Sequence, residues 1–496
     1  MRARTFVGAA WMMAGGWLQM VLSLVGFFVI TSRLQPSEVG LFGVAALVVG
    51  IVQAVIGGLF IDSLQQRADL TKAQINATFW IGLGVAALAT LGLVAAADPI
   101  AATLGAAQGG AVLRVLAFGI LSSTLASIPG ALLVRDLQFP KAVQARSLAA
   151  LAGSFAGLAS IFSGLGVWSL VIADLASKLV SLCALYRARP YWPSAPRDLG
   201  AIAPLMRFNL GALGAYLVGH ADRAAPRALT GALLGPHALG YLMLAERVLD
   251  LLHQLVLAPL SAVTMTAVAR LQSSPSGVQD LIGRLYSLAT TVGYPVFIGA
   301  ALVAPSAFEL IGPHWAPAAL TAQILLLVGL RTSTGVFNIA ILRGLGRTMA
   351  PMLLLSLGLA LQLTLTPLGA RFGAEGVAAA MLVRHLATWP LGCALIARAT
   401  GLSIRRQAAP GAPAFAAACI MAAVTWPALQ ALEGAPALLR VMVAAALGAA
   451  TYTTALLLIS PSQRQRCGRI ASGLARGGLR RGLNAMRAEF RLGAEA

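Results

Sequence analysis

Apolar residues run along this chain in long blocks, and polar residues gather in short intervals between them. Windows of about 17 to 25 apolar residues, the length a helix needs to cross roughly 30 Å of hydrocarbon, recur from one end to the other. They predict spans over 9–32, 39–61, 75–97, 111–134, 142–162, 164–186, 208–229, 237–259, 285–304, 317–341, 350–370, 373–397, 412–432 and 437–459. Backbone polar groups in lipid must be satisfied within their own segment, so blocks of this length are read as helices. The fold class expected is all-α, a polytopic membrane protein with about fourteen transmembrane helices.

Composition agrees: 58% of the 496 residues are hydrophobic and 10% charged, with a mean hydropathy of +0.83, outside the range of soluble domains. The net charge of +20 suggests nucleic acid until the basic residues are placed. Of the 36 Lys and Arg residues, 26 fall at the chain ends or in every second interval, among them Arg2 and Arg4, then Arg135, Lys141 and Arg146, then Arg187 to Arg207, and eight Arg beyond Ser460. The other intervals and the outer half of the seventh span hold only Arg33, Arg223, Arg227 and Arg371. This bias sets both termini in the cytoplasm, and its dispersal excludes a nucleic-acid-binding face. The first span has no small-residue cleavage site and is expected to remain as an uncleaved helix. Cys183, Cys393, Cys419 and Cys467 show no paired spacing and read as buried small apolar residues, with no metal or cofactor expected.

Two echoes point to a duplication of six spans. Leu34-Gln35-Pro36-Ser37-Glu38-Val39-Gly40-Leu41 matches Leu234-Gly235-Pro236-His237-Ala238-Leu239-Gly240-Tyr241 in Leu, Pro and Gly at an offset of 200, and Phe162 to Val167 matches Phe372 to Val377 at an offset of 210. Pro and Gly there are expected to turn the chain and return it to the membrane. The predicted organisation is an N-terminal six-helix lobe over 1–186, a proline-rich cytoplasmic linker over 187–207, a C-terminal six-helix lobe over 208–397, two further helices within 398–459, and a basic cytoplasmic tail over 460–496. The two lobes would be pseudo-symmetric about an axis along the membrane normal. The extra helices read as lipid-facing helices packed on one lobe. The tail reads either as an interfacial helix on anionic headgroups or as an unstructured basic segment.

Six basic residues fall inside spans: Arg114, Lys178, Arg247, Arg331, Arg384 and Arg440. Arg114 and Arg440 sit near outer ends, where their stems allow snorkelling. Lys178, Arg247, Arg331 and Arg384 remain as candidate substrate contacts, because an ionisable group at membrane depth usually faces a cavity or a partner. Asp174 stands four residues before Lys178 on one helical face, a structural pair or a functional one. Glu246, Asp250 and His253 share a face of the eighth span and read as cavity-lining. With Asp174 and Asp222, Glu246 and Asp250 are the candidate coupling or gating acids. His385 beside Arg384 adds a polar group whose context is less specific. In the seventh span, His220, Arg223 and Arg227 read either as a basic outer gate or as snorkelling residues where Pro226 ends the helix early. No phosphate-cradling glycine loop, zinc-type His-Glu spacing or serine elbow occurs, so an ATP-driven pump or an enzyme is not expected.

The stretches Thr31 to Gly40, Ala221-Asp222-Arg223, Leu234 to Tyr241, Pro259-Leu260-Ser261, Ala269-Arg270-Leu271-Gln272, Leu310 to Trp315 and Leu345-Gly346-Arg347 together resemble the polysaccharide transport family, with its Wzx-type O-antigen and exopolysaccharide flippases, within the multidrug/oligosaccharidyl-lipid/polysaccharide (MOP) exporter superfamily. Their order across residues 5–400 carries the likeness. His220, where an Asn-like residue is expected, and Pro226 depart from the pattern. The resemblance implies a bacterial inner-membrane flippase that moves a polyprenyl-pyrophosphate-linked oligosaccharide by alternating access, through a cationic cavity beside membrane lipids and with polysaccharide polymerase machinery as a partner. The competing expectation is a cation-coupled drug or metabolite antiporter of the same superfamily, whose usual twelve spans fit this ladder less well. A glycan polymerase or ligase would require large outer loops with catalytic groups, and the outer intervals here are short.

Overall fold

The computed structural model describes residues 26–60, 64, 70–195, 198–347, 349–461 and 463–465. The predicted first span up to residue 25, the inner-loop residues Arg67 and Arg197, and the basic tail from residue 466 with Cys467 lie outside the described residues. Thirteen long helices follow one another: α1 (Pro36–Phe60), α2 (Lys72–Ala95), α3 (Gly110–Arg135), α4 (Phe139–Phe162), α5 (Trp168–Ala188), α6 (Ala203–Val256), α7 (Ala258–Leu271), α8 (Pro275–Ile311), α9 (Ala318–Gly344), α10 (Met349–Ala370), α11 (Gly373–Thr400), α12 (Ala412–Ala431) and α13 (Ala437–Ile459). No strand occurs among the described residues. Among the described residues twelve helical stretches are long and apolar enough to cross a membrane. They coincide with every predicted span from the second to the fourteenth, because the seventh and eighth fall within α6.

That helix is where the local sequence matters most. At about 1.5 Å per residue its 54 residues are far too long for one crossing. Gly235 breaks it, with φ 79° and ψ −179°, a conformation that only a residue without Cβ adopts cheaply. Pro236 follows, so the expected turn is present and confined to one residue. Pro226, expected as a possible helix end, does not stop the helix, and the Thr230 hydroxyl donates to the Pro226 carbonyl at 2.7 Å. Two boundaries differ from expectation. The inner segment after the eighth span forms α7, and α8 begins at Pro275, ten residues before the predicted start. Ser274 caps it by accepting from the Gly277 amide at 3.3 Å, with proline in the first turn, where its missing N–H costs nothing. At the start of α2, Thr71 and Gln74 form a reciprocal capping box.

The chain separates into two compact units, Met1–Met243 with Leu359–Val377 and Leu244–Gly358 with Ala378–Ala496. The core of the first gathers Ile56, Phe60, Leu113, Leu116 and Ile120. Its helices approach closely at small residues: Gly153 of α4 faces the Ala173 carbonyl of α5, where a Cβ would fall 2.8 Å away. The proline-rich segment after α5 is strapped to α2, with Trp80 Nε1 donating to the Ser194 carbonyl at 2.8 Å and Asn76 Nδ2 to that of Ala195 at 3.2 Å. Tyr191 lies on Phe79 there, and burial, reinforced by Tyr186, pushes its phenol above the ordinary value.

In the second unit Gly329 of α9 lets the Phe297 ring of α8 reach its backbone. The last two spans, α12 and α13, pack on α8 through Tyr294, Met421 and Tyr452, and the Tyr452 hydroxyl donates to the Thr291 carbonyl at 2.6 Å. Arg114 and Arg440, near the outer ends of their spans, pair with Asp98 and Glu309. The cysteines correct another expectation: Cys183 and Cys419 are exposed and Cys393 is half-buried. A small apolar side chain on a lipid-facing surface meets hydrocarbon without being packed inside the protein, which hydropathy alone does not distinguish from burial.

Candidate functional site

Two of the four mid-span cations come together. Arg331 on α9 and Arg384 on α11 are close enough for each charge to act on the other, and both act on His385. Arg384 is only 9% exposed. Its guanidinium lies over Gly358 of α10, where a Cβ would fall 3.0 Å from Nη2, and that of Arg331 folds back over Gly335, where a Cβ would fall 2.8 Å from Cζ. Glycine at each seat lets a bulky planar cation lie flat against a helix. Arg331 Nε is buried without a hydrogen-bond partner, and no carboxylate pairs with Arg331 among the described residues.

Polar neighbours on three helices complete the cluster. His253 near the end of α6 shares a hydrogen bond with the Thr332 hydroxyl, and its ring meets Phe297 edge-on at 5.2 Å. The buried Tyr286 hydroxyl on α8 donates to Asn338 Oδ1 on α9 at 2.5 Å, and the Asn338 amide approaches Gly392 of α11. Two guanidiniums held near each other at membrane depth are costly unless an anion visits them, and Arg presents a planar fork suited to phosphate oxygens.

The other predicted residues divide among several places. Glu246, Arg247 and Asp250 lie on α6 in the same unit; Glu246 is buried, Arg247 half-buried and Asp250 exposed, and each has an interaction partner. The shared face predicted for Glu246, Asp250 and His253 thus carries three different exposures. In the first unit Lys178 Nζ donates to Asp174 Oδ2 at 2.7 Å, the predicted i, i+4 pair, and Lys178 lies over Gly119 of α3, where a Cβ would fall 3.0 Å from Nζ. His220 stacks on Tyr216 at 4.5 Å, Asp222 is buried, Arg223 exposed and Arg227 half-buried. Arg223 Nε donates back to the Gly219 carbonyl at 3.3 Å.

Sequence reasoning missed the glycine seats. Gly335, four residues after Arg331, was visible as a helical neighbour; Gly119 and Gly358 lie on other helices and carried no signal. Tyr286 and Asn338 were missed too, since each is unremarkable without the other. Among the described residues no group of His, Cys, Asp and Glu is arranged to hold a metal ion.

The family described as polysaccharide biosynthesis protein matches residues 30–320, more than half of the chain. The chain belongs to that family. This polysaccharide biosynthesis protein is 27% identical over 345 residues to the succinoglycan biosynthesis transport protein ExoT of Rhizobium meliloti (strain 1021), covering 67% of this chain and 69% of that relative. Its fold is similar to that of the lipid II flippase MurJ in an inward closed conformation, with a TM-score of 0.72, 10% identity, and coverage of 91% of this chain and 99% of that one. It is also similar to an inward-facing multidrug resistance MATE family transporter of the MOP superfamily, with a TM-score of 0.63, 16% identity, and coverage of 77% and 96%. The likenesses to the solved structures show the all-α polytopic fold that the span ladder implied.

Proposed function

We propose that this polysaccharide biosynthesis protein moves a polyprenyl-pyrophosphate-linked oligosaccharide across the bacterial inner membrane by alternating access, supplying surface polysaccharide or lipopolysaccharide assembly. The observation that carries this reading is the neighbouring pair Arg331 and Arg384, seated over glycines within the second unit, of which Arg331 forms no ion pair among the described residues. A pyrophosphate brings its charge into a low-dielectric core at high cost, and paired guanidiniums offset that cost with charge-assisted hydrogen bonds. Arg247 on α6 adds a third cation to the same unit. The likeness to ExoT, a succinoglycan biosynthesis transport protein, and to the lipid II flippase MurJ supports the same reading.

In this reading both termini are cytoplasmic, residues 1–186 and 208–397 are the two six-helix lobes, 187–207 links them, and helices within 398–459 attach outside. Asp222, Glu246 and Asp250 are the acids that couple or gate, and His220, Arg223 and Arg227 form the outer gate. No covalent step is required, and the polymerase that extends the glycan is the partner downstream. A strain lacking the protein should accumulate lipid-linked oligosaccharide in the inner leaflet, measured by mass spectrometry of extracted lipids. Normal surface glycan in that strain, with altered drug susceptibility, would instead favour the antiporter reading.

A further inference from the structure

Between α3, α4 and α5 of the first unit lies a cavity of about 290 Å³, lined by Ser123, Ser127, Arg146, Lys178 and Ser181. The residues are spaced as three helices require: 123 and 127 on one turn-repeat of α3, 178 and 181 on α5, and 146 on α4. Space exists because the wall is built from small residues, among them Ala126, Gly130 and Ala142. Two cations, the exposed Arg146 and the half-buried Lys178, and three hydroxyls line it.

We propose that this cavity is a binding site for a phosphate group of one net negative charge, separate from the route of the transported glycan. Charge selects the ligand. Lys178 is neutralised by Asp174 at 2.7 Å, whereas Arg146 forms no ion pair among the described residues, so the site holds a surplus of one positive charge. A phosphodiester carries one negative charge; a pyrophosphate would exceed what the site offsets. Size agrees, because ligand pockets for drug-sized molecules begin at roughly 300 Å³, and this volume takes a phosphate with a short stub but not an oligosaccharide. The hydroxyls of Ser123 and Ser127 now donate to carbonyls of their own helix, Gly119 at 2.9 Å and Thr124 at 2.6 Å, and they rotate readily to a better acceptor. The cavity lies toward the ends of α3 and α5 and the start of α4, the helix ends that carry Arg135, Arg187 and Lys141 in the sequence. Basic pockets between helices at such ends take anionic lipid headgroups. The two sources of this chemistry are a phospholipid headgroup and a free phosphate.

Native mass spectrometry of the full chain in detergent separates them. The probes are phosphatidylglycerol, diacylglycerol with the same acyl chains, and inorganic phosphate; the proteins are wild type, Arg146→Gln and Gly130→Leu. Gly130→Leu alters no charge and fills the cavity, where a Cβ would stand 3.7 Å from Leu185 Cδ1. The expected result is one retained phosphatidylglycerol per chain, at least about tenfold more than diacylglycerol, with retention falling about tenfold in each variant. Displacement of the lipid by millimolar phosphate, lost in Arg146→Gln, would equally support the site and assign its source to free phosphate. Equal retention of phosphatidylglycerol by wild type and both variants, or of diacylglycerol and phosphatidylglycerol by wild type, would overturn the proposal. The test reads binding alone, so its failure leaves the transport reading untouched.

Discussion

Gly40 of α1 packs directly against the backbone of Pro236 in α6, and the contact is reciprocal, since Gly240 packs in the same way against the backbone of Pro36. The two segments that echo each other at an offset of 200 residues therefore cross face to face. Their companions join them in the same compact unit. Glu38 accepts from the Val167 amide at 3.2 Å, while Glu375, in the echo of that loop, lies near enough to Tyr241 for its charge to act on the phenol. A repeat visible only as matching letters is thus a pair of turns meeting about a local pseudo-twofold.

Gly40→Leu should destabilise the protein by about 1–3 kcal/mol through overpacking, because the atoms in its way are backbone rather than a movable side chain. Gly50, on the same helix, has nothing within 4 Å of a Cβ, so Gly50→Ala should be neutral or gain up to about 1 kcal/mol of helix propensity. Melting curves in detergent followed by size-exclusion check the contrast. Similar midpoints for the two variants would refute the crossing.

Arg331→Ala and Arg384→Ala should each abolish surface glycan while leaving the protein in the membrane at wild-type abundance. Arg331→Lys should restore only part of the export, since an ammonium does not reproduce the guanidinium fork. Gly358→Leu should match Arg384→Ala, because its side chain displaces the Arg384 guanidinium from its seat. Immunoblots of membrane fractions beside glycan staining provide the measurement, and wild-type export by Gly358→Leu would remove the seat from the mechanism.

The Tyr286 to Asn338 hydrogen bond joins α8 to α9 in a buried position. Tyr286→Phe leaves an amide oxygen unsatisfied there and should cost about 1–3 kcal/mol. Adding Asn338→Leu should recover most of the loss, because two apolar partners need no hydrogen bond. A double-mutant cycle on thermal midpoints tests this, with simple additivity as the contrary result.

The strap after α5 should open when its two tethers to α2 are removed together. Losing the hydrogen bonds of Asn76 and Trp80, each about 0.5–1.5 kcal/mol, lowers the local opening energy enough for roughly tenfold faster cleavage. Limited proteolysis of Asn76→Ala/Trp80→Phe, with the cut sites located by mass spectrometry near Tyr191, reads the change directly.

Much of this architecture is written along a single dimension. Hydropathy is a sum over neighbouring residues, so the spans from the second to the fourteenth are legible, though not the short α7, and so is the i, i+4 pairing of Asp174 with Lys178, whose partner lies one turn away. Pro226 misled because a proline is tolerated inside a membrane helix when its surroundings satisfy the one carbonyl it frees, and the helix runs on past it to Gly235. The meeting of Arg331 with Arg384 could not be read in this way. The two lie 53 positions apart on α9 and α11, and whether their guanidiniums converge depends on how each helix is rotated and where Gly358 of a third helix leaves room. Residue order sets which side chains cost most in lipid; the crossing of helices sets which of them share a site, because that depends on distances through space that no interval along the chain encodes.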